Sequence, residues 1–339
     1  MALFRRRTPE RAPIPAFWEW WNGGAAARLG DRLAAGDAAS LVDEISARVA
    51  AIDPGLAWDT SAGRDSQHLL SLGSEGDAAL RPLAERWLRA APPADATWSF
   101  AASRQRDPAV LTTRLDLGGV ELLLGEITAV MEFDDDAALF HVRLLHPRFA
   151  SAPDAVRAQI AFLVVDWLLG EDDVERWIGR IETASVPDDA AVDLGVLRDC
   201  VDAVAAQPVE ETWHVLRGRS ATGSDILAVA RRPLRWIDHP LLDQHASVTL
   251  RFDPDDGGMP TPDSLDRLRD HEDRLMEAIG GRGLLLAHET GAGRRTLHVY
   301  VDSEDQNGAD SIAGFAVRHA DTTVEFELDP SWRAMRRFG

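Results

Sequence analysis

From Ser151 to Ile181 the chain reads S-A-P-D-A-V-R-A-Q-I-A-F-L-V-V-D-W-L-L-G-E-D-D-V-E-R-W-I-G-R-I. Val156, Ile160, Leu163, Trp167, Gly170, Val174, Trp177 and Ile181 recur at alternating steps of four and three, which is one face of a helix. Ser151 and Asp154 resemble a capping box ahead of it, with Pro153 in the first turn. Phe162, Val165 and Leu169 make the other side apolar as well, so the pattern predicts a long buried helix covered on several sides. Asp166 is embedded in it, and Glu171-Asp172-Asp173 stand at a break. The apolar run Ile160–Leu169 falls short of the roughly 20 residues that cross a bilayer.

Before this stretch, Phe17, Trp18, Trp20 and Trp21 open a helix interrupted at Gly23-Gly24, and Leu41, Ile45, Val49 and Ile52 mark a second one. Two strands, Leu56–Thr60 and His68–Leu72, form a predicted hairpin; a helix over Asp77–Ala90 and a strand over Thr97–Ala102 follow. Leu115–Phe133 and Leu139–Leu145 read as extended segments. After a loop at Ser185–Asp193 comes a helix with Leu194, Leu197, Val201 and Val204. Trp213–Arg217 and Asp225–Arg232 read as a hairpin around Ala221–Ser224. The last hundred residues carry the clearest pattern. Val248, Leu250 and Phe252 alternate in a strand, and a helix capped by Thr261 or Asp263 carries Leu265, Leu268, Leu275 and Ile279. Strands Gly283–Thr290 and Arg294–Asp302 flank Gly291-Ala-Gly, a helix follows near Ser311–His319, and Val324, Phe326 and Leu328 alternate in a final strand. That order, β-α-β-β-α-β, is a ferredoxin-like split unit.

Thr60-Ser-Ala-Gly-Arg64 matches Thr290-Gly-Ala-Gly-Arg294 at an offset of 230 (290 − 60). The same offset lays His68 on His298 and the helix face Ile45, Val49 on Leu275, Ile279. We read this as a duplication, with a helix-β-β-helix-β core in the N-terminal half. The fold class expected is therefore α+β in two domains. Residues 1–14 form a basic disordered arm, 15–184 an N-terminal domain, 185–210 a linker with a helix, and 211–339 the ferredoxin-like domain with its preceding hairpin.

The net charge of −20, with 56 acidic residues against 36 basic ones that are all arginine, argues against nucleic-acid binding through phosphate neutralisation. The single cysteine, Cys200, excludes an intramolecular disulfide. The N-terminus lacks the apolar core of a secretory signal, which points to the cytoplasm. No G-x-G-x-x-G, P-loop, H-E-x-x-H or G-x-S-x-G motif is present.

The polar residues that stand out are Asp166 with Glu171, and Glu272 in the apolar stripe of the last domain's first helix. Each could be a tuned acid or base, but a buried ion pair explains a carboxylate in an apolar stripe equally well, and we favour that reading. Arg294, Arg295 or Tyr300 would satisfy Glu272. The run D-H-P-L-L-D-Q-H from Asp238 to His245 matches no standard metal spacing. Strand alternation puts Thr249, Arg251, Thr296, His298, Tyr300, Glu325 and Glu327 on the sheet face away from the helices. This face is either a binding surface or the place where the Trp213–Arg232 hairpin or the first domain packs.

Gly258-Met-Pro260, the L-x-x-x-E-D-x-L run from Leu268 to Leu275, and H-E-T-G-A-G-R-R-T-L-H-V-Y ending at Tyr300 resemble the bacterial family called domain of unknown function 695. Phe17–Trp21 and Val164–Val174 resemble a companion region of related bacterial proteins. The resemblance implies the fold of regulator of ribonuclease E inhibitor B, a protein that acts by binding, and carries over no catalytic residues. The expectation is thus a bacterial, non-enzymatic binding or regulatory protein with a protein partner, no nucleic acid, no membrane, no cofactor and no metal. The oligomeric state stays open. The rival is a small-molecule enzyme using Asp166/Glu171 or Glu272/Arg294/Tyr300 between the domains. A weaker third idea is that Arg5–Arg7 and Arg333–Phe338 touch membrane or nucleic acid.

Overall fold

The computed structural model describes residues 12–37, 39–209, 211–219 and 223–339. It is a mixed α+β protein with several sheets. Two compact units divide the chain: residues 1–131 with 142–198, and residues 132–141 with 199–339. Most of the expected arm lies outside the described residues, and a helix already begins at Pro13.

In the first unit, α1 (Pro13–Trp20), α2 (Ala26–Ala34), α3 (Ala39–Ala50) and α4 (Arg81–Arg89) accompany a sheet of β1 (Ala57–Ser61), β2 (His68–Gly73) and β3 (Trp98–Ala101), in the order β1-β2-β3. The interruption at Gly23-Gly24 is a π-type turn over Trp21–Ala25 in which Gly24 takes φ 107°, a conformation side chains rarely adopt. Phe17, Trp18, Trp21 and Ala25 consequently all face inward and meet Trp87 and Trp98. Ring centroids of Trp18 and Trp87 lie 4.7 Å apart and those of Trp21 and Trp98 4.8 Å apart. Each such pair adds about 1 kcal/mol to the burial itself. Indole N–H groups of Trp18 and Trp98 donate to the carbonyls of Trp87 and Ala26, so these rings are buried without losing their hydrogen bonds.

Further along come the hairpin β4 (Arg114–Leu117) and β5 (Val120–Leu123), then β6 (Thr128–Asp134), β7 (Leu139–Leu145), α5 (Asp154–Leu169), α6 (Glu171–Trp177), β8 (Ile178–Ala184), the short β9 (Val192–Asp193) and α7 (Leu194–Ala205). β6 to β9 form one sheet in the order β8-β7-β6-β9. Three expectations about the central helix are corrected here. Ser151 does not cap it; its hydroxyl donates back to the Arg148 carbonyl, and the helix starts at Asp154 after Pro153. Its buried face is Ile160, Ala161, Val164, Val165, Leu168 and Leu169, while Phe162 is exposed, so the apolar girdle is not closed. And the helical run does not reach Ile181: β-branched Ile178, Ile181 and Thr183 join a sheet, where such side chains pack well. The break between α5 and α6 falls on Gly170, at φ 86°, where a Cβ would sit 3.1 Å from the Arg104 carbonyl oxygen.

The second unit holds β10 (Thr212–Arg219), β11 (Asp225–Arg232), β12 (Gln244–Arg251), α8 (Pro262–Ile279), β13 (Gly283–Gly291), β14 (Arg294–Val301), α9 (Gln306–Arg318) and β15 (Thr322–Leu328). They make one six-stranded sheet, ordered β10-β11-β13-β14-β12-β15 and antiparallel throughout. The turn expected at Ala221–Ser224 lies partly outside the described residues. Val248, Leu250, Leu297, Val299 and Val301 meet Leu268, Leu275, Ile279, Ile312 and Phe315 on the helix side. The hairpin, one of the candidates to cover the opposite face, instead extends the sheet edge, with Trp213 and Val215 exposed on β10. Tyr300, Leu286, Ala228 and Ala230 on that face are packed by Trp332, Met335 and Phe338 from the chain's own C-terminal segment. That tail is therefore a packed element of the fold, not a solvated arginine cluster.

Helix, hairpin, helix, strand recur in both halves as α3-β1-β2-α4-β3 and α8-β13-β14-α9-β15. The ungapped match does not survive in the pairing. Thr60 faces Leu70 across its hairpin, whereas Thr290 faces Arg295 across a tight turn. β3 pairs directly and in parallel with β2, while β12 lies between β14 and β15. By strand order the duplication is not supported, because the matching T-x-A-G-R runs sit at different points of their turns.

Candidate functional site

Two clusters hold most of the residues singled out by sequence. The first lies in the first unit, around the α5–α6 break. Glu171 is 9% exposed and its carboxylate accepts from the Ser74 N–H and hydroxyl, the Gly76 N–H and the Arg104 N–H. Gly73 is needed beside it, since a Cβ there would stand 2.7 Å from the Glu171 Oε2. Asp172 receives Arg81 in bidentate fashion at 3.1 and 3.0 Å, and Asp173 receives Arg106 and Arg176 at 2.8 Å each. The Arg106 Nε also donates to the Leu169 carbonyl, closing the end of α5. Every member of the Glu171-Asp172-Asp173 triplet thus ties α6 to another segment. Asp166, 6% exposed, has the Arg104 Nε at 3.5 Å. Burial raises its pKa to about 6 in spite of Arg104, with Glu171 and Glu75 adding to the rise. Asp166 and Glu171 are brought together, sharing Arg104.

Glu272 behaves differently from its expected partners. Its carboxylate stands 3.3 Å from the His288 Nδ1 and 3.7 Å from the Arg295 Nη1. Arg295 is buried and donates through Nε to the Thr290 hydroxyl. Arg294 is exposed, and Tyr300 lies on the other side of the sheet, so Glu272, Arg294 and Tyr300 do not converge.

The second cluster is on that other face. Cross-strand register sets Glu327, His245 and Tyr300 in one row and Glu325, Ser247 and His298 in the next. A register shift between Leu285 and Ala287 changes the parity of β13. Leu285 therefore packs toward the helices, Leu286 and Ala287 away from them, and Glu289 reaches His298 on the open face. The Glu289 Oε1 is 3.0 Å from the His298 Nε2, and the His298 Nδ1 is 3.0 Å from the His245 Nε2. Burial pushes the Glu289 carboxyl up, but the His298 bond and the Arg337 charge prevail and hold it below the ordinary range. An ionised Glu289 only accepts, so His298 donates through Nε2 and accepts at Nδ1 from the His245 N–H. His245 itself is pushed down to about 4 by burial first, then by His298, against the opposing Asp329.

The C-terminal segment closes one side. The Tyr300 hydroxyl donates to Asp329 at 2.7 Å, and Asp329 also accepts from the Arg333 and Ala334 N–H groups. Burial, then this bond, raises the Tyr300 pKa. The Trp332 indole donates to the Leu242 carbonyl. What remains open is a cavity of about 640 Å³ between β12, β15 and the tail, lined by His245, Ser247, Glu325, Glu327, Arg333 and Arg337, with His298 at its floor. Alternation along the strands locates His298, Tyr300, Glu325 and Glu327 on this face; Glu289 is missed because the bulge is invisible in the pattern, and the two arginines because the tail reads as a solvated end.

The run Asp238–His245 scatters: His239 stacks on Trp332, Asp243 receives the Ser303 N–H and hydroxyl, and His245 faces His298. Among the described residues no group of three or more His, Cys, Asp or Glu is placed to hold a metal ion, and no helix is long and apolar enough to cross a membrane. No protein-family model and no curated protein matches the chain.

Proposed function

We propose that this chain is a non-enzymatic binding protein that works through contact with a basic protein partner, with a ferredoxin-like core in its C-terminal half. The order β15-β12-β14-β13, in which the fourth strand precedes the first, third and second, supports that core, with α8 and α9 on one face. The resemblance of the sequence to the family of domain of unknown function 695 belongs to the same proposal. The observation that carries the functional reading is the state of the candidate acids. Glu171, Asp166, Glu272 and Tyr300 are each held by partners within the chain and are occupied as structural groups. A net charge of −20 suits a basic partner and makes encounter faster at low salt, since screening acts over about 8–10 Å.

One arrangement favours a small-molecule enzyme as the second reading: the carboxylate–imidazole–imidazole chain Glu289–His298–His245 ends at a cavity with a neutral ring. Affinity capture with the full chain, followed by binding of the purified captured protein at low and high salt, tests the first reading. A basic partner whose association slows with salt is expected. Absence of any partner, together with metabolite turnover abolished by His245→Ala, would overturn it in favour of the second.

A further inference from the structure

The cavity beside the C-terminal tail has more acidic than basic groups in and around its wall. Each of its arginines lies against a carboxylate of the wall. Arg337 Nη2 stands 2.5 Å from the Glu289 carboxylate, and Arg333 stands 3.3 Å from Asp329 and 3.5 Å from Glu327. Since the His298 N–H also aims at Glu289, the 3.3 Å approach of Arg337 to His298 sets donor beside donor on one acceptor. His245 gives its only N–H to His298, which leaves Nδ1 as a lone pair on a buried ring lining the cavity. Glu325 and Glu327 add carboxylates from neighbouring positions of β15. Arg333 and Arg337 are balanced within the wall by Asp329 and Glu289, and Glu325 and Glu327 remain as net negative charge. Arg333 and Arg337 keep further N–H donors, but the summed charge of the wall is negative, which favours a cationic group over an anionic one.

We propose that this cavity is a receptor for an organic cation, an alkylammonium or guanidinium group, and that its occupant is a lysine or arginine side chain of the basic partner. The proposal rests on the binding reading above. The volume of about 640 Å³ lies in the range of ligand pockets, and is ample for one extended side chain. The charged head would take Glu325, Glu327 and the His245 Nδ1.

Isothermal titration of the full chain with acetyl-Gly-Lys-Gly-amide, acetyl-Gly-Arg-Gly-amide, n-butylamine and propionate tests this. Saturable binding of the peptides, tighter than of butylamine and absent for propionate, is expected. Glu325→Gln should weaken it roughly tenfold, as expected for loss of a charged acceptor, while Glu277→Gln on α8 leaves it unchanged. Propionate binding in preference to the cations, or full affinity in Glu325→Gln, overturns the proposal. Butylamine binding more tightly than the peptides overturns the assignment to a side chain. A captured partner that binds Glu325→Gln with undiminished affinity removes the cavity from the interface yet leaves the binding reading intact.

Discussion

Glu171 and Glu289 are both acidic side chains lying against arginine, one in each unit, and their surroundings part from there. Glu171 is met by three backbone N–H groups and a hydroxyl, and its neighbours Asp172 and Asp173 clamp further arginines. All of that bonding ends inside the fold. Glu289 passes its bond through His298 to His245, and the chain ends at an opening. Burial and charge alone do not separate a scaffold from a site, since both clusters have them. The useful distinction is whether the last group in the network has a partner.

The largest effect expected from this contrast is at the scaffold. Glu171→Gln leaves buried donors facing an amide and should cost about 3–5 kcal/mol in urea unfolding. A cost below 1 kcal/mol would mean that the donors find other partners. Phe338→Ala strips the cover from the His298 face and should cost about 3 kcal/mol, with loss of cation binding measured alongside.

Acid should move the two clusters in opposite directions. Folded Asp166 keeps its proton up to about pH 6, while its unfolded value is near 3.8. Between these values the folded state binds more protons, so stability falls as pH rises, by roughly 2–3 kcal/mol. For His245 the folded value of about 4 lies below the ordinary 6.5, so its contribution is present above pH 6.5 and is lost as pH falls toward 4, by roughly 3 kcal/mol. The groups facing His245 are His298, Tyr300, Glu327, Asp329, Arg333 and Arg337. Unfolding of Asp166→Asn and His245→Gln across pH 4–7 should remove the two slopes separately. Identical profiles in either variant and the native chain would refute that assignment. At the small end, Arg28→Ala breaks an exposed contact with Glu44 and should change stability by less than about 1 kcal/mol.

Much of the second unit was legible because its strands alternate cleanly: Val248, Leu250, Leu297 and Val299 point one way, and His298 and Tyr300 the other. The aromatic run at Phe17–Trp21 likewise announced a core. The clamp around Glu171 was not legible, because Arg81, Arg104 and Arg106 are brought there by folding from positions far along the chain, and nothing local distinguishes them from solvated arginines. The same holds for the tail. Met335 and Phe338 are buried, yet three arginines among Arg333–Phe338 make the segment look like a solvated end. The match between Thr60–Arg64 and Thr290–Arg294 misled for a related reason: turn residues resemble one another wherever a chain reverses.

The extra residue in β13 between Leu285 and Ala287 bears on how this sequence tolerates change over generations. Substitutions in that strand act one position at a time, and a surface row absorbs many of them. Removing any one of residues 286–288 can be absorbed by loss of the unpaired position: Leu285 stays opposite Val299 and Glu289 opposite Thr296, so Glu289 keeps its face and His298 its carboxylate. An added residue finds no such slack and would turn Glu289 toward the apolar layer under α8 and Thr290 outward. Length at this one place can therefore shrink by one more easily than it can grow, so insertions across residues 286–288 should be lost from a selected library before single deletions are.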